Sequence, residues 1–368
     1  MSDLYISKTD FKQLIDVAYG AVSQGHPALE CFKVVVQKDK ITVTASDQAN
    51  TVITSLPGKF EEAFHFLVPA GKLRDIVRLA PQGLLQLTLE STVVTIVADM
   101  TSWTIKVPTV EFPKIPKLVK PQVEMSADSF RSAIRATRKS IADSPLRPTL
   151  RMLSIRKGSM TACDGSRLSQ ASLGDSFPRD FSASIPHSSV NLVWELVKDD
   201  NITTVGLADS PNHCIYMAGN TCVLTKKLAS SFPNVEQILL RPALENKQEF
   251  IVSHAEILKA VDRVRINADT KTDAIGLYLS SKSVTVTSRD NFGNTCSDTI
   301  PSTWTGKDRQ LVINHKYLTS LVRAVESTEC HFYLGDDTKS RKSLLLLKDE
   351  EKRIYAVIPQ FAGNISVL

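Results

Sequence analysis

Apolar and polar positions along the chain fall into two rhythms. Between residues 128 and 142, Phe130, Ala133, Ile134, Thr137 and Ile141 stand at i, i+3, i+4, i+7 and i+11. That stripe predicts a helix with one face on a core. Ile257, Val261 and Val264 repeat the rhythm, as do Val190, Val193, Trp194 and Val197. Trp194 shares the core spacing, so it is read as core and not as a stacking platform. Elsewhere β-branched residues alternate with polar ones, over residues 41–45, 93–97 and 284–287. Period-two alternation predicts half-buried strands.

These rhythms recur at long range. Phe112-Pro113-Lys114-Ile115 returns as Phe232-Pro233-Asn234-Val235, a shift of 120. Each copy closes a strand-rich stretch and opens a Pro-containing linker, about 108–125 and 232–249. Asp10-Phe11 opens a first helical pattern and Ser129-Phe130 a second, 119 residues on; a third opens near Ser253-His254-Ala255-Glu256. A second helix is expected midway through each copy, after Val68-Pro69-Ala70, Ile185-Pro186-His187 and Ile313-Asn314-His315. The expectation is an α+β protein of three tandem similar domains, over residues 1–120, 121–245 and 246–368.

The helices also carry charge away from their apolar stripes. Arg131, Arg135 and Arg138 fall at i, i+4 and i+7, with Lys139 beside them. Lys259 and Arg263 stand at i and i+4 in the third copy. Lys72, Arg74 and Arg78 are expected on the second helix of the first copy, Lys198 on that of the second, and Lys316 and Arg323 on that of the third. Like charges aligned on one face repel by a few tenths of a kcal/mol per pair, which points to an anionic partner. No helix-turn-helix, zinc finger or aromatic RNA-binding signature accompanies them, so the pattern suits binding that follows a phosphate backbone without regard to sequence.

Composition changes this picture little. Of 368 residues, 42% are hydrophobic and 23% charged, with a formal net charge of +5, which is ordinary for a globular protein. The six cysteines form no C-x-x-C pair and no four-ligand knuckle, so reduced, mostly buried thiols are expected, with no metal and no cofactor. The paired acids Asp199-Asp200, Asp336-Asp337 and Glu350-Glu351 sit in turn-like surroundings. There is no Walker A, G-x-S-x-G, G-x-G-x-x-G or H-E-x-x-H sequence, so no enzyme is expected. No apolar run approaches the roughly 20 residues that span a bilayer, and the first residues lack a signal-peptide core. A cytoplasmic protein without a membrane partner is the expectation.

Three motifs resemble the bacterial DNA polymerase III beta subunit, the beta sliding clamp. Asp164-Gly165-Ser166-Arg167-Leu168 is similar to that family's T-D-G-H-R-L turn, Ser231-Phe232-Pro233-Asn234 to its F-P-D, and Tyr355-Ala356-Val357-Ile358-Pro359 to its Y-V-V-M-P. Cys163, Ser166, Gln237 and Phe361 depart from the family's usual residues, and the chain runs six residues further, as a divergent or virus-encoded member would. The resemblance implies a head-to-tail ring of two chains, helices lining a central hole and sheets outside. It implies a processivity factor for DNA replication that encircles duplex DNA and tethers a DNA polymerase subunit and clamp loader through short Q-L-x-L-F-like peptides.

Carried over position by position, the resemblance implies a peptide cleft of Leu150, Cys163, Gly165, Ser166, Arg167, Leu168, Pro233, Gln237, Ile238, Val357, Ile358, Pro359 and Gln360. It also implies a homodimer interface with Trp103 and Ile105 facing Ile266 of the second chain. The tail Asn364-Ile365-Ser366-Val367-Leu368 itself looks like a weak cleft-binding peptide. Two other functions fit the residues less well. One is a clamp-like recruitment platform outside replication; the other is a nucleic-acid-processing enzyme, which requires a convergent carboxylate or metal site.

Overall fold

The computed structural model describes residues 2–235, 248–325, 327–334, 345–348 and 353–357. Among them one order of elements recurs three times. The first copy runs β1 (Ser2–Ser7), α1 (Lys8–Tyr19), β2 (Cys31–Gln37), β3 (Lys40–Ser46), β4 (Asn50–Pro57), β5 (Phe64–Pro69), α2 (Ala70–Leu79), β6 (Leu84–Glu90), β7 (Val93–Ala98) and β8 (Thr101–Lys106). The second runs β9 (Val123–Ser126), α3 (Ala127–Thr137), β10 (Met152–Arg156), β11 (Ser159–Cys163), β12 (Arg167–Ser172), β13 (Ser182–Pro186), α4 (Val190–Val197), β14 (Thr204–Asp209), β15 (His213–Ala218) and β16 (Thr221–Lys226). The third runs β17 (Gln248–Ser253), α5 (His254–Val264), β18 (Ala274–Ser280), β19 (Ser283–Arg289), β20 (Thr295–Trp304), β21 (Arg309–Asn314), α6 (His315–Val322), β22 (Glu329–Leu334), β23 (Leu345–Lys348) and β24 (Ile354–Val357).

The chain divides into two compact units that both draw on the middle copy. The first comprises Met1–Arg131 and Phe181–Ala229. It holds a four-stranded sheet ordered β1-β6-β7-β8 and an eight-stranded one ordered β5-β2-β3-β4-β16-β15-β14-β9. The second comprises Ser132–Asp180 and Ser230–Leu368. In it eleven strands pair in the order β10-β11-β12-β24-β23-β22-β17-β20-β19-β18-β21. Neighbouring strands are antiparallel, so hairpins suffice to connect most of them.

Local chemistry starts the helices where the pattern predicts. Ser7 accepts from the Asp10 N–H at 3.1 Å and its hydroxyl donates to the Asp10 carboxylate at 2.7 Å, closing the start of α1. Asn314 caps α6 by accepting from the N–H groups of Lys316 and Tyr317. The predicted stripes are buried: Phe130, Ala133, Ile134 and Thr137 on α3, Ile257, Val261 and Val264 on α5. Thr137 fits an apolar stripe because its hydroxyl donates to the Ala133 carbonyl at 2.7 Å. In the first unit the Phe130 ring lies 6.3 Å from that of Tyr216, whose hydroxyl donates to the Ser184 carbonyl at 2.8 Å. No helix among the described residues is long and apolar enough to cross a membrane. All six cysteines are free, and burial pushes the Cys330 thiol up to about 12.

The three-arginine face is corrected by the structure. α3 ends at Thr137, and Arg138 to Ser140 form a 3-10 turn, which takes Arg138 off the line of Arg135. Arg131 is only 4% exposed. Its guanidinium donates to the carbonyls of Val197, Asp199 and Ile202 at 2.8, 2.9 and 3.1 Å and pairs with Asp128. A planar fork with five donors suits this task, which is to close off the last turn of α4 and the loop after it. Arg131 is therefore a structural residue, not a DNA contact. Arg131→Met should leave those carbonyls without their donor and cost about 2–4 kcal/mol. Lys139→Ala, at an exposed position, should stay within about 0.5 kcal/mol of the parent. Thermal and urea midpoints of both variants check this; equal midpoints would return Arg131 to the surface.

Candidate functional site

The second unit builds the cleft around one aspartate. Its Oδ1 accepts from the N–H of Ser166 at 2.8 Å and of Arg167 at 2.9 Å, turning the chain between β11 and β12. This side-chain mimic of a backbone turn leaves Gly165 at φ +93°, where a residue without Cβ is at ease. A Cβ there would also collide with the Arg147 guanidinium, which lies over the turn and donates to the Asp164 carbonyl. Arg167 is held on three sides. Its Nε donates to Asp164 Oδ2 at 2.9 Å, another nitrogen donates to the Ser320 hydroxyl at 3.2 Å, and its plane lies 4.8 Å from the centre of the Tyr317 ring.

Beneath the turn lies an apolar cluster of Met152, Cys163, Leu168, Phe232, Val235, Leu346 and Ala356, with half-buried Leu150, Tyr333 and Ile354 packed against it. Burial raises the Cys163 thiol above its usual range, so it behaves as an apolar group. Phe232 and Val235 point inward while Pro233 is half-buried. Arg156 fixes this stretch by donating to the Phe232 carbonyl at 3.1 Å, beside a cavity of about 130 Å³ that Pro233 and Asn234 border. β24 joins β12 through Arg167 opposite Val357 and Leu168 opposite Ala356. The structure thus brings together Leu150, Cys163, Gly165, Ser166, Arg167, Leu168 and Pro233, with the Val357 backbone paired alongside. Gln237, Ile238, Ile358, Pro359, Gln360 and the tail from 361 lie outside the described residues. Rigid backbone beside an apolar floor and a few fixed polar groups can hold an extended peptide.

Comparison with known proteins follows the same lines. Residues 242–360 match the family model described as the DNA polymerase III beta subunit, C-terminal domain. The beta sliding clamp of Bacillus subtilis is 21% identical over 354 residues, covering 90% of this chain and 92% of that protein. The sliding clamp of Pseudomonas aeruginosa, crystallised with a ligand, superposes with a TM-score of 0.88 at 20% identity, over 98% of this chain and all of the other. A Bartonella birtlesii sliding clamp bound to griselimycin gives a TM-score of 0.88 and 20% identity, with the same coverage. Over nearly its whole length this chain is similar to bacterial beta sliding clamps.

Most of the basic helix residues are exposed and already paired. Arg74 meets Asp16 at 3.0 Å and lies over the Tyr19 ring; Arg78 meets Asp75 at 3.4 Å. Lys198 meets Glu195 at 2.6 Å, Lys259 meets Glu256 at 3.4 Å, and Lys316 meets Asp273 at 2.8 Å. Arg263 donates to Asp298 at 2.6 Å, and Arg323 reaches Asp262 at 3.9 Å. Lys72 and Lys139 are exposed with no acidic partner among the described residues, and Arg135 is exposed too. The predicted basic faces are therefore faces of mixed charge. The acids were visible in the sequence, but those from other elements, Asp16, Asp262 for Arg323, Asp273 and Asp298, could not be assigned to a helix face by spacing.

Two of the three residues implied for a chain–chain contact remain available. Ile266 is 80% exposed and Trp103 is half-buried, whereas Ile105 is 5% exposed, because β8 turns it onto the core of its own unit. Ile105 is thus corrected from an interface to a core residue. What sequence reasoning missed is that the Asp164 turn recurs at Asp47, and that an aspartate also closes the equivalent, one-residue-longer turn at Asp290. Asp47 Oδ1 accepts from Ala49 at 2.8 Å and from Asn50, with Gln48 at φ +72°. Asp290 Oδ1 accepts from Phe292 and Asn294, both at 2.9 Å, with Gly293 at φ +87°. The signal was an aspartate closing each third-strand hairpin, hidden because the residues after it differ.

Gly165→Ala should cost at least about 1 kcal/mol from left-handed backbone alone, plus the displacement of Arg147. A double-mutant cycle with Arg147→Ala separates the two. Part of the cost should vanish in the Arg147→Ala background, and an unchanged cost would show that the two groups do not meet.

Proposed function

We propose that the chain is a DNA sliding clamp subunit. Two copies close head to tail into a ring of six similar domains, three per chain at 1–120, 121–245 and 246–368. Duplex DNA runs through the ring, and polymerase and clamp-loader peptides dock on the cleft at the Asp164 turn. The ring carries no catalytic step; it converts binding into retention by enclosure.

A partly open third joint carries this proposal: β20 pairs with β17 only over Ser302–Trp304, and among the described residues Thr295–Pro301 pair with β19 alone. The copies are joined by the same device, the third strand of one domain's hairpins pairing with the last strand of the next. β4 pairs with β16, with Thr51 opposite Leu224, and β12 pairs with β24, with Leu168 opposite Ala356. By the same rule β20 requires β8, which begins its own chain's other end. A second chain supplies it, and then the first chain's β8 is met in turn by the second chain's β20. Such a heterologous contact closes when the rotation returns on itself. Shifting the β4·β16 register by the repeat sets Trp103 opposite the partner's Cys296, with the exposed Ile266 in the same copy as β20.

The mixed charge of the helix faces suits this function. A lone cation per phosphate releases counterions and binds tightly, with log affinity falling by about 0.9 per contact with log salt. Paired cations attract phosphates more weakly, so enclosure and not affinity holds the ring on DNA.

Two measurements follow. Trp103→Cys should cross-link to the partner's Cys296 with a short bis-maleimide, yielding a species of two 40.5 kDa chains; a chain that stays monomeric by solution mass at micromolar concentration overturns the ring. Second, loaded protein should stay on circular duplex DNA and leave it after linearisation. Lys72→Ala and Lys139→Ala, which remove cations without acidic partners, should shorten that retention more than Lys198→Ala and Lys259→Ala, whatever the DNA sequence. Retention on open-ended linear DNA, or a sequence-dependent loss, would contradict it.

A further inference from the structure

The repeated turn makes a second cleft. In the first unit, the turn of Asp47 lies at the β4·β16 joint as the turn of Asp164 lies at β12·β24. Ser46 faces Thr51 across its hairpin as Cys163 faces Leu168 across the other. Gln48 and Gly165 each follow the aspartate with positive φ. Pro113 lies 120 positions before Pro233. Lys226 and Lys227 follow Leu224 at the same distance as Ile358 and Pro359 follow Ala356 in sequence. Ser46, Gln48, Thr51, Pro113, Lys226 and Lys227 border one open cavity of about 540 Å³, within the range of small-ligand and peptide sites.

Its chemistry is inverted relative to the other cleft. Hydroxyls of Ser46 and Thr51, 3.0 Å apart, form the floor where Cys163 and Leu168 stand in the second unit. Lys114, Lys226 and Lys227 border the opening, with the His213 imidazole. Burial, and then the charge of Lys226, hold His213 below its usual range. Two carboxylates flank the cavity, and both are engaged. Asp47 is taken up by its own turn and by the Asn50 amide at 2.9 Å, and Asp209 pairs with Lys227 at 2.7 Å. Lys114 and Lys226 are left exposed, with no acidic partner among the described residues.

We infer that the first joint is a second docking cleft, selective for an acidic extended peptide. Carboxylates of the peptide meet Lys114 and Lys226, and the floor of mutually hydrogen-bonded hydroxyls offers no apolar socket for a Leu-Phe pair. The two clefts of one chain thereby hold partners of opposite character without competing. This inference stands on the repeat of the joint and not on enclosure of DNA.

Fluorescence anisotropy of the full chain tests it, with fluorescein-labelled hexaglutamate as probe. Hexaglutamate should bind the parent and lose at least tenfold in affinity in the Lys114→Glu/Lys226→Glu double variant. That variant should keep its affinity for a Q-L-x-L-F-like peptide, which reports an intact second unit, and a parent-like melting midpoint, which reports an intact first one. Leu168→Ala should do the reverse, keeping hexaglutamate and losing the Q-L-x-L-F-like peptide. Equal hexaglutamate affinity in parent and double variant, or no binding by the parent, overturns the inference. So does labelled hexathymidylate that binds more tightly than hexaglutamate and displaces it, since the cleft would then be a phosphate site. Failure of the Q-L-x-L-F-like peptide on the parent would count against the function proposed above and leave this inference standing.

Discussion

A strand edge cannot be left bare without consequence. Each unpaired N–H and C=O either finds water or finds another strand, and an edge of alternating β-branched residues invites the second outcome. In this chain the third strand of each copy has such an edge. β4 and β12 satisfy theirs through β16 and β24, which turns neighbouring hairpin sets into continuous sheets. Because the joints lie inside sheets, the compact units cut across the sequence repeat instead of following it. The position of the hairpin turns, the packing of the linker prolines and the cavities beside them are all fixed by where those edges meet.

The turns show how a conserved geometry tolerates different residues within one molecule. At 47 and 164 the aspartate satisfies two successive backbone donors, and at 290 it satisfies two donors on either side of Gly293. At Asp290 the amide of Asn294 further holds the carboxyl below the usual range. Once that constraint is met, the following positions are free to differ. The second copy places a glycine under an arginine, the third carries an exposed phenylalanine, and the first has neither.

Much of the fold was legible in the sequence, for a physical reason. The helical stripes at Phe130–Ile134–Thr137 and Ile257–Val261–Val264 are buried as their spacing requires. The cleft turn was also legible, because Asp-Gly dictates a backbone shape locally. Charge was less so. Arg131 reads as a surface residue by spacing, and only the tertiary path of the loop after α4 brings three carbonyls to its guanidinium. Ile105 likewise depends on which side of β8 faces the core, which a short edge strand does not announce. The cleft at the first joint was invisible for a different reason: its residues resemble no known motif, and its likeness to the second joint lies in hydrogen-bond register.

The paired charges along the helices bear on motion as well as on affinity. A cation held about 3 Å from a carboxylate presents a dipole whose field fades within a few ångströms, faster than that of a lone charge. Phosphates spaced along a duplex passing such a surface meet a shallow corrugation in place of a row of deep wells. In the ring proposed above, such a lining drags little on the enclosed polymer, and its lubrication is built from the same ion pairs that quiet its charge.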